Sequence, residues 1–135
     1  MKRARWGALA LVACAGSPDA APAPRATIMA PADGAEFVAG DTVRIVLEVE
    51  HLTLAPAGTD QVGTGHHHLL VNRSLADSTS AIPADSGFVH LGQAQTEHVL
   101  TDLSPGRYEV IAVLGDYLHV PIPGQQRDTV TFVVR

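Results

Sequence analysis

The chain is poor in several features on which whole protein classes depend. Only one of its 135 residues is a cysteine, Cys14, so no intramolecular disulfide can form. Its apolar N-terminal segment, residues 6–13, is far shorter than the ~20 residues that a helix needs to cross a bilayer. No window repeats its apolar residues every 3.6 positions, which argues against a helical architecture.

Enzyme motifs are also missing. The chain has no glycine-rich phosphate loop, and none of its loop serines stands in a nucleophile elbow. We therefore expect that the protein is not an enzyme. Hydrolysis at a metal ion with an open coordination position is the alternative that these absences leave.

The N-terminus has the features of a secretion signal. Three basic residues precede the apolar segment, and Leu11-Val12-Ala13-Cys14 places small residues just before the cysteine. This tetrapeptide resembles the lipobox of bacterial lipoproteins, which implies that residues 1–13 are a signal peptide and that Cys14 is lipidated. We therefore expect the protein in the cell envelope, anchored by acyl chains on the periplasmic side of a bacterial membrane or at the cell surface. An ordinary signal peptide is the alternative.

Positive charge becomes scarce once the signal is removed. The formal net charge of the chain is −5, and loss of the three basic residues in segment 1–13 takes it to −8. An acidic surface of this size argues against binding of nucleic acid and against electrostatic binding of anionic lipid. Residues 14–25 are small and proline-rich, which predicts a flexible tether between the lipid and the folded domain.

The folded domain is predicted to comprise residues 26–135 and to be all-β. Apolar and polar residues alternate in several stretches, and glycine or proline turns separate these stretches. About seven strands in 110 residues are typical of an immunoglobulin/fibronectin-III-like Greek-key β-sandwich. Strands are expected at residues 26–29, 43–50, 66–72, 88–91, 93–103, 110–114 and 129–134.

One turn provides a reference point for the topology. Residues 103–108, with the sequence LSPGRY, precede an apolar strand and resemble the tyrosine corner of Greek-key sandwiches. The Tyr108 hydroxyl is therefore expected to bond to backbone upstream of the turn, and a plain proline-glycine turn is the alternative. With this corner as the reference, the connections that carry most of the histidines gather at one end of the sandwich.

Three consecutive histidines begin the predicted strand at residues 66–72. Residues i and i+2 of a strand point to the same face and stand roughly 7 Å apart, so His66 and His68 form a chelating pair. His67 points to the opposite face, where a core histidine hydrogen-bonded to backbone is expected. The topology brings three further candidates to the same rim, namely His90, Asp116 and His119.

Three motifs together resemble a bacterial family of small secreted sandwiches, domain of unknown function 4399. These motifs are GHHHLL at residues 65–70, QTE at 95–97 and DYLH at 116–119. The resemblance extends over nearly all of residues 26–135 and implies no established activity. The positions that carry the family's marks are His66, His67, His68, His90, Gln95, Thr96, Glu97, Asp116 and His119.

Two functions are consistent with this pattern. The first is a Cu(II) or Zn(II) site, because imidazole and carboxylate ligands suit both ions. A Cu(I) thioether site is not supported, since Met29 is the only methionine after the signal. The second is a non-catalytic envelope interaction or structural module, in which a hydrogen-bonded histidine network ties two loops together and the partner is an envelope protein. The proposed metal ligands are His66, His68, His90, His119 and Asp116, with His67, Gln95 and Glu97 as further ligands or neighbours of the ligands.

Overall fold

A computed structural model describes residues 20–135, and over this range the protein is all-β. The predicted signal peptide, residues 1–13, and the lipidation of Cys14 lie outside the described residues. No helix in the described range could span a membrane. The strands are β1 (Arg25–Ala30), β2 (Ala35–Phe37), β3 (Val43–Glu50), β4 (Thr53–Leu54), β5 (Thr64–Val71), β6 (Phe88–Leu91), β7 (Glu97–Leu100), β8 (Gly106–Gly115) and β9 (Asp128–Val134).

The strands form two sheets. The smaller sheet has the order β1-β3-β7, and the larger has the order β2-β9-β8-β5. Strand β4 pairs in parallel with the start of β5, and β6 pairs antiparallel with the residues of β5 that follow. The main core consists of apolar residues from both sheets, including Ile45 and Leu47 of β3 and Phe132 of β9. The predicted β-sandwich is therefore confirmed, while its assignment to the immunoglobulin or fibronectin class stays a prediction.

The predicted tyrosine corner is present. The Tyr108 hydroxyl donates a hydrogen bond to the carbonyl oxygen of Ser104 at 2.8 Å, across the turn that precedes β8. The Tyr108 ring also stacks on Phe132, with ring centroids 5.2 Å apart and planes 9° from parallel. The corner therefore fixes the start of β8 to its neighbour β9.

Two regions differ from the sequence prediction. The strand expected at residues 93–103 is only β7, Glu97–Leu100, because the preceding residues form a turn. In that turn Ala94 has a φ of 60°, and the side-chain oxygen of Gln95 accepts a hydrogen bond from the Gln93 amide at 2.7 Å. The short strands β2 and β4 were not predicted, since two or three residues are too few to show an alternating pattern.

The strand that carries the histidines is buried on both faces. One face packs into the main core, and the other is covered by residues 73–87, called the strap below. Beneath the strap, Ile82 packs with Leu70 of β5 and Val113 of β8 in a second apolar cluster. A strand covered on both faces needs an apolar side chain at nearly every position, which explains the continuous apolar run after the histidines.

Candidate metal centre

Strand pairing assembles a histidine cluster on the outer face of the larger sheet. His66 and His68 point to that face from β5, and the antiparallel register sets His68 directly opposite His90 of β6. The same register sets His66 opposite Gly115, where β8 ends and the loop that carries His119 begins. The histidines thus come from one end of the sandwich, as expected, but three of them stand on the sheet face and not in rim loops.

Three imidazoles direct nitrogen atoms at one another. The Nε2 atom of His66 lies 3.0 Å from Nε2 of His68 and 3.2 Å from Nε2 of His90. Imidazoles around one ion with Zn–N bonds of about 2.0–2.1 Å place their nitrogens about 2.9–3.4 Å apart, depending on the coordination geometry. One candidate ligand nitrogen from each of these residues lies within 4.8 Å of the other two. The three side chains are therefore close enough to hold a metal ion.

His119 is the fourth imidazole of the cluster. Its ring centroid lies 5.2 Å from that of His66, 5.8 Å from that of His68 and 4.7 Å from that of His90. The other three pairs of centroids are 4.8–5.0 Å apart. Four imidazoles around a single tetrahedral ion would have centroids about 5 Å apart. The ring of His119 therefore packs against the other three, while the ligand atoms that lie within 4.8 Å of one another are those of His66, His68 and His90.

Asp116 positions His119 through the backbone. Its Oδ1 atom accepts hydrogen bonds from the amides of Leu118 and Val120, each at 2.9 Å. The Asp116 amide bonds to the Val120 carbonyl at 2.9 Å, which closes a tight loop in which His119 has a φ of 66°. This carboxylate was predicted to be a metal ligand, but the structure uses it to hold the loop that presents His119.

Gln95 and Glu97 are not brought to the cluster. The Glu97 carboxylate pairs with the Arg44 guanidinium at 2.5 Å on the smaller sheet. The Gln95 side chain is part of the turn before β7. Both were predicted as further ligands or neighbours of the ligands, and in the structure both have local structural partners. Residues 95–97 thus contribute to a turn and an ion pair.

Two glycines leave room for the imidazole rings. A Cβ atom at Gly92 would overlap Cε1 and Nε2 of His90, and one at Gly115 would lie 2.8 Å from Nε2 of His68. Neither glycine has a positive φ, so space and not backbone conformation excludes a side chain at these positions. Sequence reasoning missed both residues, because only the strand register shows which ring lies over which glycine.

His67 is buried in the main core without a polar partner. Its side chain is fully buried, and neither Nδ1 nor Nε2 forms a hydrogen bond. The register sets Leu91 and Leu114 beside it on the core face of the sheet. The expected hydrogen bond to backbone is therefore wrong, because the amide and carbonyl groups around a central strand are already used by the sheet.

Burial favours the neutral forms of His66, His68 and His90. It is the main cause that lowers the pKa of His66 to about 4 and that of His68 to about 3, and the neighbouring histidines lower both further. The nearby charge of Asp116 opposes part of the lowering at His66. Burial also lowers the pKa of His90. Neutral imidazoles are the form that binds metal ions.

A small cavity opens beside the cluster, under the strap. Its volume is about 150 Å³. The sheet side of the cavity is formed by histidine rings and the strap side by small or apolar side chains. The lining residues are His68, Ala81, Ile82, Pro83, Ala84, His90 and His119. The strap is tied to the cluster here, since the Ile82 amide donates a hydrogen bond to the His119 carbonyl at 2.9 Å.

The fold and the site together define a two-sheet β-sandwich with three imidazoles on one sheet face and a fourth, that of His119, in the loop after β8. A family model described as Domain of unknown function (DUF4399) matches residues 45–135. The chain belongs to this family, and the matched range includes all four histidines of the cluster. No curated protein and no solved structure matches the chain.

Proposed function

We propose that the protein binds a single transition metal ion, Cu(II) or Zn(II), through Nε2 of His66, His68 and His90. The observation that carries this proposal is the convergence of these three nitrogens, with Nε2 of His66 3.0 and 3.2 Å from the other two. The donor and acceptor roles of these nitrogens depend on the imidazole tautomers, and a cation bound at their lone pairs would hold all three rings at once. The ring of His119 lies beside these three rings.

The alternative, a histidine network that ties loops together, predicts a different geometry. In that case each ring nitrogen would bond to a backbone carbonyl. Among the described residues, the hydrogen bonds found for the rings of His66, His68 and His90 are those between the rings. The strap and the His119 loop are tied by backbone bonds, which need no imidazole. We therefore favour metal binding over the structural network.

The donor set favours Cu(II) in affinity. For the same nitrogen ligands, divalent ions follow an order in which Cu(II) binds more tightly than Zn(II). Zn(II) prefers a tetrahedral set, and the near-equal centroid distances also suit that geometry. Metal availability would then decide which ion the protein carries.

We also propose that the domain works as a lipid-anchored protein of the bacterial cell envelope, and that it binds its metal without being an enzyme. The support is the sequence pattern at residues 1–14 and the tether that follows it. An acidic domain held near a membrane by acyl chains would meet metal ions in the envelope, and an envelope protein is the expected partner.

Metal binding can be tested by calorimetric titration of untagged protein with Cu(II) and Zn(II). We expect one ion per chain. The double variant His66→Ala/His68→Ala removes two ligands, so its metal affinity should fall by more than the roughly 10–100-fold that follows loss of an outer-shell partner. The variant Gly92→Ala keeps every ligand but occupies the space of the His90 ring, so it should weaken binding by at least about tenfold. His98→Ala is the matched control, because His98 lies on β7 in the other sheet.

Two results would overturn the metal proposal. One is binding of both ions no tighter than about millimolar, the range of the weakest extracellular metal sites. The other is a double variant that binds as tightly as the parent. Either result would leave the loop-tying network as the role of the histidines.

A further inference from the structure

We propose that the metal ion keeps one coordination position open toward the cavity under the strap, and that a small monodentate anion binds there. This inference rests on the metal site proposed above and concerns what else that site binds. The ligand would enter between the strap and the ring of His119.

The geometry leaves a position for such a ligand. Three nitrogens, from His66, His68 and His90, form the set whose members all lie within 4.8 Å of one another. Three protein ligands plus one exogenous ligand is the arrangement of metal sites that bind a small molecule. His68, His90 and His119 line the cavity and His66 does not, so the cavity lies on the side away from His66.

Charge decides which kind of ligand fits. Imidazole ligands are neutral, so a divalent ion would bring a net charge of about +2 between the buried side chains of His66 and His68 and the exposed residue His90. Burying charge without a partner is costly. The Asp116 carboxylate lies close enough to affect His66, so its negative charge would offset part of this positive charge. A bound anion would neutralise part of the remaining charge.

The cavity selects for small size. Its volume of about 150 Å³ is that of a cavity that binds benzene, so it limits a ligand to about six non-hydrogen atoms. Ala81, Ile82, Pro83 and Ala84 form the strap side and offer no charged or hydrogen-bonding side chain. Apart from the ligands His68 and His90, the polar side chain in the cavity wall is that of His119. Its ring can donate a hydrogen bond to the end of the anion that does not bind the metal. Compact anions with few hydrogen-bonding needs are therefore favoured.

The test uses sodium azide as the probe and untagged protein loaded with one equivalent of Cu(II). We expect a saturable azide-to-copper charge-transfer absorption, with copper still bound to protein after gel filtration. The double variant Ala81→Leu/Ala84→Leu fills the cavity and should bind copper as the parent does. Its azide affinity should fall roughly tenfold or more, equivalent to about 1.4 kcal/mol. Ala76→Leu is the matched control, because Ala76 lies in the strap but does not line the cavity.

A second variant tests the role of His119. His119→Phe keeps a ring of similar shape but removes the donor, so azide affinity should fall by a larger factor than copper affinity. The two variants therefore separate the space of the cavity from its one polar wall group.

The outcomes separate this inference from the proposal beneath it. Tight copper binding without an azide band, or release of copper by azide, would overturn the open position and leave metal binding intact. An azide affinity unchanged by the double leucine variant would show that the anion does not use the cavity, and this would also overturn the inference. Absence of copper binding in the parent would overturn the proposed function itself.

Discussion

At the residue scale, the three consecutive histidines have two different roles because a strand alternates its faces. His66 and His68 meet other imidazoles on the outer face, whereas His67 is enclosed by apolar residues on the core face. A buried polar group without a partner lowers stability by roughly 1–3 kcal/mol. His67 is therefore a position at which the sequence does not maximise stability.

Replacing His67 by leucine is expected to stabilise the metal-free protein. Leucine has a similar volume and no polar atoms to leave unpaired, so the free energy of unfolding should rise by about 1–2 kcal/mol. Urea unfolding at pH 7.5 with a chelator present measures this change. Metal affinity should stay the same, because the side chain lies on the face opposite the cluster.

His67→Asn is the control for this prediction. Asparagine keeps unpaired polar atoms, so this variant should not be more stable than the parent. If His67→Leu proved less stable than the parent, His67 would have a partner such as an ordered water molecule.

At the scale of the secondary-structure elements, turns and short loops determine where strands begin. The Tyr108 corner sets the start of β8, and the Asp116 loop sets the position of His119 after its end. The strap is tied to the Asp116 loop by the hydrogen bond from the Ile82 amide to the His119 carbonyl. This loop and the strap line the cavity beside the histidine cluster, whereas the tyrosine corner lies at the other end of β8.

The tyrosine corner can be tested by Tyr108→Phe. This change removes the hydrogen bond to the Ser104 carbonyl and keeps the ring stacked on Phe132. We expect a loss of roughly 0.5–1.5 kcal/mol in the free energy of unfolding, the net value of one intramolecular hydrogen bond. Urea denaturation of both proteins measures the loss.

Tyr117→Phe is the matched control for the corner. Tyr117 is the other tyrosine of the chain, and its side chain is 37% exposed. Its replacement should change stability little. Equal losses in the two variants would mean that the corner hydrogen bond contributes nothing specific.

At the scale of the whole molecule, burial of histidines links folding to pH. Burial lowers the pKa of His66 and His67 to about 4 and that of His68 to about 3, whereas the unfolded chain has values near 6.5. Between these values the unfolded state binds more protons than the folded state, so a lower pH favours unfolding. Above about pH 6.5 both states are neutral at these residues and stability is level.

We therefore expect the metal-free protein to lose stability as the pH falls from about 6.5 to about 4, by up to about 1.4 kcal/mol per pH unit for each histidine. Urea unfolding at several pH values with a chelator present measures the slope. His67→Leu should reduce this slope, since it removes one of the three groups. A stability that is constant over this range would contradict the neutral burial of these histidines.

The sequence by itself determined the features that depend on local geometry. Alternation predicted the long strands, and the spacing of His66 and His68 predicted that they share a face. The turn at residues 103–108 predicted the Tyr108 hydrogen bond, because the donor and the acceptor are only four residues apart. The resemblance to the family was seen in motifs that are contiguous in the chain, and the family model that matches residues 45–135 confirms the family.

The tertiary structure decided everything that depends on pairing between distant segments. Only the register sets His90 opposite His68 and places Gly92 and Gly115 where the rings need space. It also decided which polar groups were already in use, so that Asp116 holds a loop, Glu97 pairs with Arg44 and His67 has no partner. The physical reason is that a side chain's chemistry can be read from its type, whereas its partners depend on contacts far apart in sequence.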